Sequence, residues 1–331
     1  MTDTSPVPRP LAPDDALPPV EPPSAGFIVQ LFVIPAVIVA VILAVWFLLN
    51  LANIDRDPKE LLAALKSRNE RREQALYELI AELNRNEPLR RDEAFFRDYT
   101  LVLDEWLADA SQEKREVDFR SSLLAVTGTF NLPDAVPVLV KGYRGGRDDD
   151  ERTALKLGAL IGLRNVLPTI RQVKPQDDAE LRTVVDAAAD DPSYLVRYHD
   201  AYVLEALGDP RSVDTLKKLL RDRNVDVRMN AALAAAPLGL AEAVPELAKM
   251  LDPADDEGVL TEQKESYREK KRMDIYVGAL NAVRRYVEKN PQADRTALTA
   301  AVDKLLASNP ELSLRLAAED VRRELDERPK S

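Results

Sequence analysis

The sequence predicts an all-α chain: an α-solenoid of stacked helical hairpins preceded by a single transmembrane helix. Three observations carry that prediction. One long apolar run near the N-terminus holds no charge between Glu21 and Asp55. The chain behind it repeats its apolar pattern with a shift of 31 residues. Finally, the 331 residues include only 11 glycines and no cysteine. A doubly wound or barrel enzyme spends more glycine on its turns and phosphate loops. The missing Cys excludes disulfides, thiolate zinc sites, iron–sulfur clusters and Cys nucleophiles. A single histidine, His199, excludes a site built on two imidazoles of one chain. With 57 acidic against 46 basic residues the net charge is −11. That balance argues against a nucleic-acid partner, which needs a basic surface to displace phosphate counterions.

Residues 1–25 carry eight prolines and almost nothing to bury, so they are expected to form a disordered, partly polyproline-II tail. Residues 26–52 are expected to be the transmembrane helix. Seventeen of the 23 residues from Phe27 to Leu49 are Ile, Leu, Val or Phe. Each contributes roughly −0.3 to −0.6 kcal/mol near the bilayer centre, so insertion is favourable by on the order of 5 kcal/mol. The length suits a hydrocarbon core of ~30 Å. An acidic flank and the lack of an A-x-A site speak against a cleaved signal peptide. Arg9 alone precedes the span, whereas Arg56, Lys59, Lys66, Arg68, Arg71 and Arg72 follow it. The positive-inside rule then places the C-terminal solenoid in the cytoplasm and the protein in the inner membrane. Ala36, Ala40 and Ala44 form a small-residue strip that would let two spans approach, a candidate homodimer face.

Residues 53–331 are expected to form the solenoid. Shifting Val196-Arg197 onto Val227-Arg228 also superimposes Asp191 on Asp222, Ala201 on Ala232, Leu207 on Leu238, Gly208 on Gly239, Leu216 on Leu247 and Leu220 on Leu251. Earlier units are read at Phe119-Arg120 and at Glu151–Ile170, where Leu155, Pro168 and Ile170 match Leu124, Pro137 and Leu139. An insertion follows at Val173–Asp178 and the helical stretch after it. A degenerate unit opens the series at Arg71-Arg72, and another is read at Arg272 after a charged loop Asp252–Lys271. The basic run Arg268–Arg272 is expected to open that unit's helix. The helix Leu312–Leu325 reads as a cap with a polar outer side. Within each unit, apolar residues at −1, +4, +7 and +10 from the Arg make one face of a first helix. Those at +16, +19 and +23 make a second. Neither helix buries its face alone, so units must stack.

These units resemble HEAT repeats, particularly the short class of about 30 residues associated with phycobiliprotein lyases. The resemblance rests on DPSYLVRYHDAYVLEALGDP (191–210) and DRNVDVRMNAALAAAPLG (222–239). The opening SRNERREQALYELIAEL also resembles the first helices of HEAT proteins from planctomycete-like bacteria. In such repeats an Asp about six residues before the Arg forms a ladder between neighbouring units. The resemblance thus implies ladder roles for Asp191, Arg197, Asp222, Arg228 and Arg120. Lys114 stands at the Asp place before Arg120, and Glu151 replaces an Arg. The first half thus departs from the ladder's pattern, while the hydrophobic pattern persists.

Enzymatic relatives are poor matches. The deoxyhypusine hydroxylase type needs repeated His-Glu pairs, and this chain has no such dipeptide. The alkyl-DNA glycosylase type needs a basic groove, and the chromophore lyase type has no Cys or His cluster to draw on. His199 is expected to be a surface or inter-repeat residue. The acidic runs Asp148–Glu151 and Asp255–Glu257 lack a calcium-loop pattern and read as solvated loops. The expected function is a membrane-anchored scaffold or adaptor without catalytic, metal-ligating or cofactor-binding residues of its own. A protein partner would lie on the concave row of second helices, at Lys217, Lys218, Arg221, Glu246 and Lys249. The alternative is an accessory or maturation factor for a membrane-associated enzyme.

Overall fold

The computed structural model describes residues 57–327, together with Gly26 and residues 37–45. Residues 37–45 are helical, and their apolar side chains are exposed. Ala40 and Ala44 belong to this stretch. Ala36, the rest of the expected span and the expected tail 1–25 lie outside the described residues. Among the described residues no helix is long and apolar enough to cross a membrane.

From Asp57 onward the chain is one compact unit of helices and turns, with no strand among the described residues. It opens with α1 (Pro58–Leu65), α2 (Arg71–Arg85), the single turn α3 (Glu87–Arg90) and α4 (Glu93–Ala108). Hairpins follow: α5 (Lys114–Thr127) with α6 (Ala135–Tyr143), α7 (Asp149–Val166) with α8 (Ala179–Ala188), α9 (Tyr194–Leu207) with α10 (Val213–Leu219), and α11 (Val225–Ala235) with α12 (Val244–Met250). The short α13 (Glu257–Leu260) leads to α14 (Glu265–Lys289), α15 (Thr296–Ala307) and the closing α16 (Leu312–Asp326). The first helices pack in series, α5 on α7, α7 on α9 and α9 on α11.

The 31-residue register holds at the core. Val196, Ala201 and Leu204 on α9 are fully buried, as are Val227, Ala232 and Ala235 on α11. Leu216 and Leu247 are fully buried on the second helices. The matched Gly208 and Gly239 share a reason: both take positive φ, 56° and 78°, where the chain leaves the first helix. Side chains at the helix starts cap orphan backbone donors. Asp92 accepts from Ala94 and Phe95 before α4, Asp148 from Glu151 before α7, and Asn224 from Val227 before α11.

The two halves fill their cores differently. Most of the buried aromatics among the described residues gather near the start, where the Phe130 ring lies 5.0 Å from Phe96 and 5.1 Å from Tyr99, and Trp106 meets Phe119 at 4.9 Å. Two of them satisfy their polar tips on backbone: Tyr99 Oη donates to Leu123 O at 2.5 Å and Trp106 Nε1 to Leu65 O at 3.0 Å. At α11 the core is alanine, with Ala231, Ala232, Ala234, Ala235 and Ala236 all buried. The tightest approach is α5 on α7. A Cβ on Gly158 would stand 2.2 Å from the Ser121 carbonyl oxygen, and one on Gly128 would stand 2.0 Å from that of Gly162.

Three expectations are corrected. The second helix of the Glu151 unit is not at Pro168–Ile170. That segment is a 3-10 turn, Leu167–Thr169, because α7 runs on to Val166 and its final turn is tightened where Pro168 offers no amide. The partner helix is α8, beyond further 3-10 turns at Arg171–Val173 and Pro175–Asp177 that pivot on Lys174 at φ 53°. The charged segment 252–271 is not all loop, since α13 forms within it and α14 begins at Glu265, ahead of Arg268. Lastly, α16 does not present a purely polar outer side: Leu312 and Leu316 are 61% and 52% exposed.

Two substitutions test this packing. Leu247→Ala should cost about 2–5 kcal/mol through lost burial and a residual cavity, and Leu247→Asp more, since it buries an unpaired carboxylate. Gly158→Ala should cost about 1–3 kcal/mol by forcing α5 and α7 apart. Urea unfolding of each variant beside the parent chain measures both.

Candidate interaction surface

The buried charges explain what the repeats spend their polar chemistry on. Arg197 is held on two sides. Its Nη1 donates to the carbonyls of Asp191 at 2.7 Å and Pro192 at 3.1 Å, in the loop that enters its own helix. Its Nε and Nη2 donate to Asp222 at 2.6 and 3.0 Å, in the loop that enters the next unit. Arg228 repeats the pattern one unit on. Its Nη1 donates to Asp222 O at 3.1 Å, and its Nη2 reaches both Glu257 oxygens at 2.8 Å. Each acid in turn accepts an amide of its own loop: Asp191 from Ser193, and Asp222 from Asn224.

The ladder continues through the first half despite those departures in sequence. Arg120, fully buried, donates to the carbonyls of Asp109 at 3.0 Å and Ser111 at 2.6 Å and pairs with the buried Glu151 at 2.8 Å. Asp109, not the residue at the Lys114 place, accepts the loop amide of Ser111, because the loop before α5 is longer. Glu151 replaces an Arg in sequence but serves as the acid for the preceding unit. The cation of its own unit is Lys156, five residues later, whose Nζ donates to Asp191 at 2.6 Å. The series even extends to the opening unit, where Arg72 pairs with Glu116 through two 2.8 Å bonds beneath the Trp106 and Phe119 rings. It stops at Arg272, which turns back to Asp256 at 2.7 Å. Sequence comparison finds Arg120, Arg197 and Arg228 but misses the ladder roles of Glu116, Glu151, Lys156 and Glu257. In these, charge type and geometry persist while position slides by one turn.

The electrostatics follow from this geometry. Burial pushes the Asp222 carboxyl upward, but the Arg197 hydrogen bonds and the Asn224 amide outweigh it and hold the group below its ordinary value. The Ser111 amide, with Arg68 and Arg120, does the same for Asp109. Their contribution is present above the unfolded carboxylate value near ~3.9 and is lost as pH falls through the lower folded value.

The five residues expected to face a partner are not equivalent. Arg221 and Lys249 are exposed. Lys217 pairs with Glu242 at 2.8 Å, and Lys218 pairs with Asp190. Glu246 is buried, 8% exposed, near Arg228 and against a cavity lined by Met229, Met250 and Ile275, which corrects its place on the surface. Similar exposed pairs join neighbouring second helices and their loops: Lys141 with Asp104 on α4, Arg144 with Glu180 on α8, and Lys304 with Asp252. The first helix α9 carries a feature that periodicity did not single out. Tyr194 and Leu195 are 45% and 40% exposed, and Tyr198 and Tyr202 stack edge to face at 5.3 Å. The Arg164 guanidinium lies 4.5 Å over the Tyr202 ring. His199 is half-buried between these rings; burial, helped by Arg164, pushes its imidazole down to about 4, so it is neutral at pH 7.

Removing one partner of a desolvated pair should be costly. Arg120→Ala takes the buried guanidinium from Glu151, leaves it the half-exposed Arg147 at 3.0 Å and uncaps two carbonyls, and is expected to cost about 3–5 kcal/mol. Lys218→Ala, at an exposed pair, is expected to cost about 0–1 kcal/mol. Parallel thermal and urea melts separate the two.

No curated protein matches the chain. Among solved structures, Escherichia coli YibA is 14% identical over 81% of this chain and 93% of its own, with a TM-score of 0.38. Human deoxyhypusine hydroxylase in complex with glycerol is 16% identical over 81% of this chain and 96% of its own, with a TM-score of 0.29. Neither likeness is close enough to carry chemistry across. The helical hairpins are HEAT-like repeats, and residues 181–264 match the family model of HEAT repeats.

Proposed function

We propose that this chain is a membrane-anchored scaffold whose HEAT-like solenoid binds a protein partner along its second helices and performs no catalysis itself. One observation supports this reading above the others: the buried ladder charges are engaged between units, while the second helices carry exposed, weakly held ones. Exposed ion pairs such as Lys217–Glu242 and Lys218–Asp190 contribute about 0–1 kcal/mol to folding. They can exchange their partners for those of a bound protein at little cost. Arg221 and Lys249 add exposed positive charge on the same helical layer, at the ends of α10 and α12.

The anchor in this reading is the apolar run 26–52, with the solenoid on the cytoplasmic side of the inner membrane. Its support is the hydropathy of that run and the basic residues that follow it. Homodimerisation through Ala36, Ala40 and Ala44 belongs to the same reading, and the proposed ligand is a protein, not a nucleic acid or cofactor.

Affinity purification from detergent-solubilised membranes tests the scaffold. A stoichiometric protein partner is expected, retained at least tenfold less by the double variant Arg221→Glu/Lys249→Glu with its fold intact. A pigment or metal co-purifying with the chain would overturn the reading. A phosphatase fused at residue 331 should be inactive in the periplasm, and activity there would reverse the orientation. Ala40→Leu should lower the oligomeric state in detergent; an unchanged state removes the dimer face.

A further inference from the structure

Asp200 occupies a place in its repeat where no carboxylate is needed. It stands three residues after Arg197 on α9, and the residues at the same place in other units are Leu123, Ala154, Ala231 and Ile275. Its side chain is fully buried, and neither carboxyl oxygen has a hydrogen-bond partner. A second orphan lies close by. The hydroxyl of Tyr143, at the end of α6, is also buried and unpartnered, and burial pushes its phenol upward.

Among the described residues no cation is paired with Asp200; Arg164 on α7 lies over the Tyr202 ring, and the others are engaged elsewhere. The elements packed on α9 at this level are α7, α8, α10, α11 and the turn Leu167–Thr169. Lys156 on α7 is bound to Asp191 at 2.6 Å, and Arg197 is bound to Asp222. Asp209, ahead of α10, is held by Arg182 and Arg211. Arg228 on α11 is taken by Glu257 and Glu246, and the buried polar neighbour on that helix is the uncharged Asn230. Asp186 on α8 repels a second negative charge. His199, next in sequence, is neutral at pH 7.

We propose that Asp200 is carried as a neutral carboxylic acid in the assembled solenoid, and that loss of its proton loosens the packing of α9 on α7 and α8. The solenoid thereby holds a proton-controlled hinge at its middle. An ionised Asp200 must recruit water, and the shortest way is to part α9 from the α7–α8 hairpin, where Tyr143 supplies a second polar lining. The Arg197–Asp222 bond keeps α9 with the following unit, so the opening divides the solenoid between the Glu151 and Arg197 units. Burial, with Asp186 adding to it, raises the Asp200 carboxyl well above its ordinary range. The sign follows: the folded chain binds a proton that the unfolded chain releases, so Asp200 favours folding less as pH rises above ~3.9 until the folded value is passed.

The experiment compares the full chain with Asp200→Asn and Asp200→Ala by urea unfolding from pH 4.5 to 9. The lowered carboxylates and His199 contribute equally to all three proteins and cancel in the difference. Both variants are expected to gain on the parent with rising pH, by up to tenfold in the folding constant per pH unit, then level off. In the parent, amide exchange over residues 149–166 and 194–207, corrected for its intrinsic pH dependence, should accelerate across the same window while residues 225–235 stay protected. Carbon-13 NMR of aspartate carboxyls in the parent chain decides the matter even where a variant fails to fold. A difference curve flat with pH, or an Asp200 carboxyl titrating in the ordinary carboxylate range, overturns the proposal.

Discussion

The structure depends on one arrangement: a buried cation that holds the loop of its own unit with one edge and the acid of the next unit with the other. Arginine suits it because the planar guanidinium presents five donors in a fixed fork. Arg197 spends them on two carbonyls and one carboxylate, and Arg120 does the same. The loops between units would otherwise bury unpaired carbonyls against the neighbouring helix. Hydrophobic stacking supplies the driving force for assembly, but it is non-directional and tolerates sliding. The ladder sets the register of one hairpin on the next.

That division of labour explains the freedom elsewhere. With register held by the ladder, the core is built from aromatics in one half and from alanines in the other. The insertion before α8 and the extra helix α13 are absorbed without breaking the series. Where Glu151 takes the place of an arginine, Lys156 supplies the charge one turn later, and a lysine with a single bond to Asp191 replaces the two-edged clamp. The clamp is weakest there, and the same junction holds the unpartnered Asp200.

Much of the fold was legible in the sequence, because the apolar positions of a stacked hairpin recur at fixed spacing. Val196, Ala201 and Leu216 found their counterparts in Val227, Ala232 and Leu247, and the burial of all six follows the match. Sequence comparison misplaced the second helix of the Glu151 unit because Pro168 and Ile170 mimic Pro137 and Leu139 locally, while helix continuity through Val166 is decided by packing. It also undercounted the ladder. Long charged side chains reach the same point in space from positions a turn apart, so Glu116, Lys156 and Glu257 carry no fixed-spacing signal. Glu246 was misjudged for a related reason: helical periodicity places it beside exposed residues, but the α13 turn and α14 close over it. The exception at Asp200 was readable in principle, as a carboxylate in a column of Leu, Ala and Ile.

The ladder has a direction. From Arg72 to Arg228 every cation reaches forward to an acid of the following unit, and only Arg272 reaches back, to Asp256. A chain emerging from the ribosome therefore completes each hairpin one hairpin late, since every unit waits for the acid that follows it. The last segment is secured differently. Arg295 grips the carbonyls of Glu324, Leu325 and Glu327 at the end of α16, a clasp that closes only once α16 has been made. A chain cut between two of the forward-linked units therefore takes from its final cation the acid of the unit that follows.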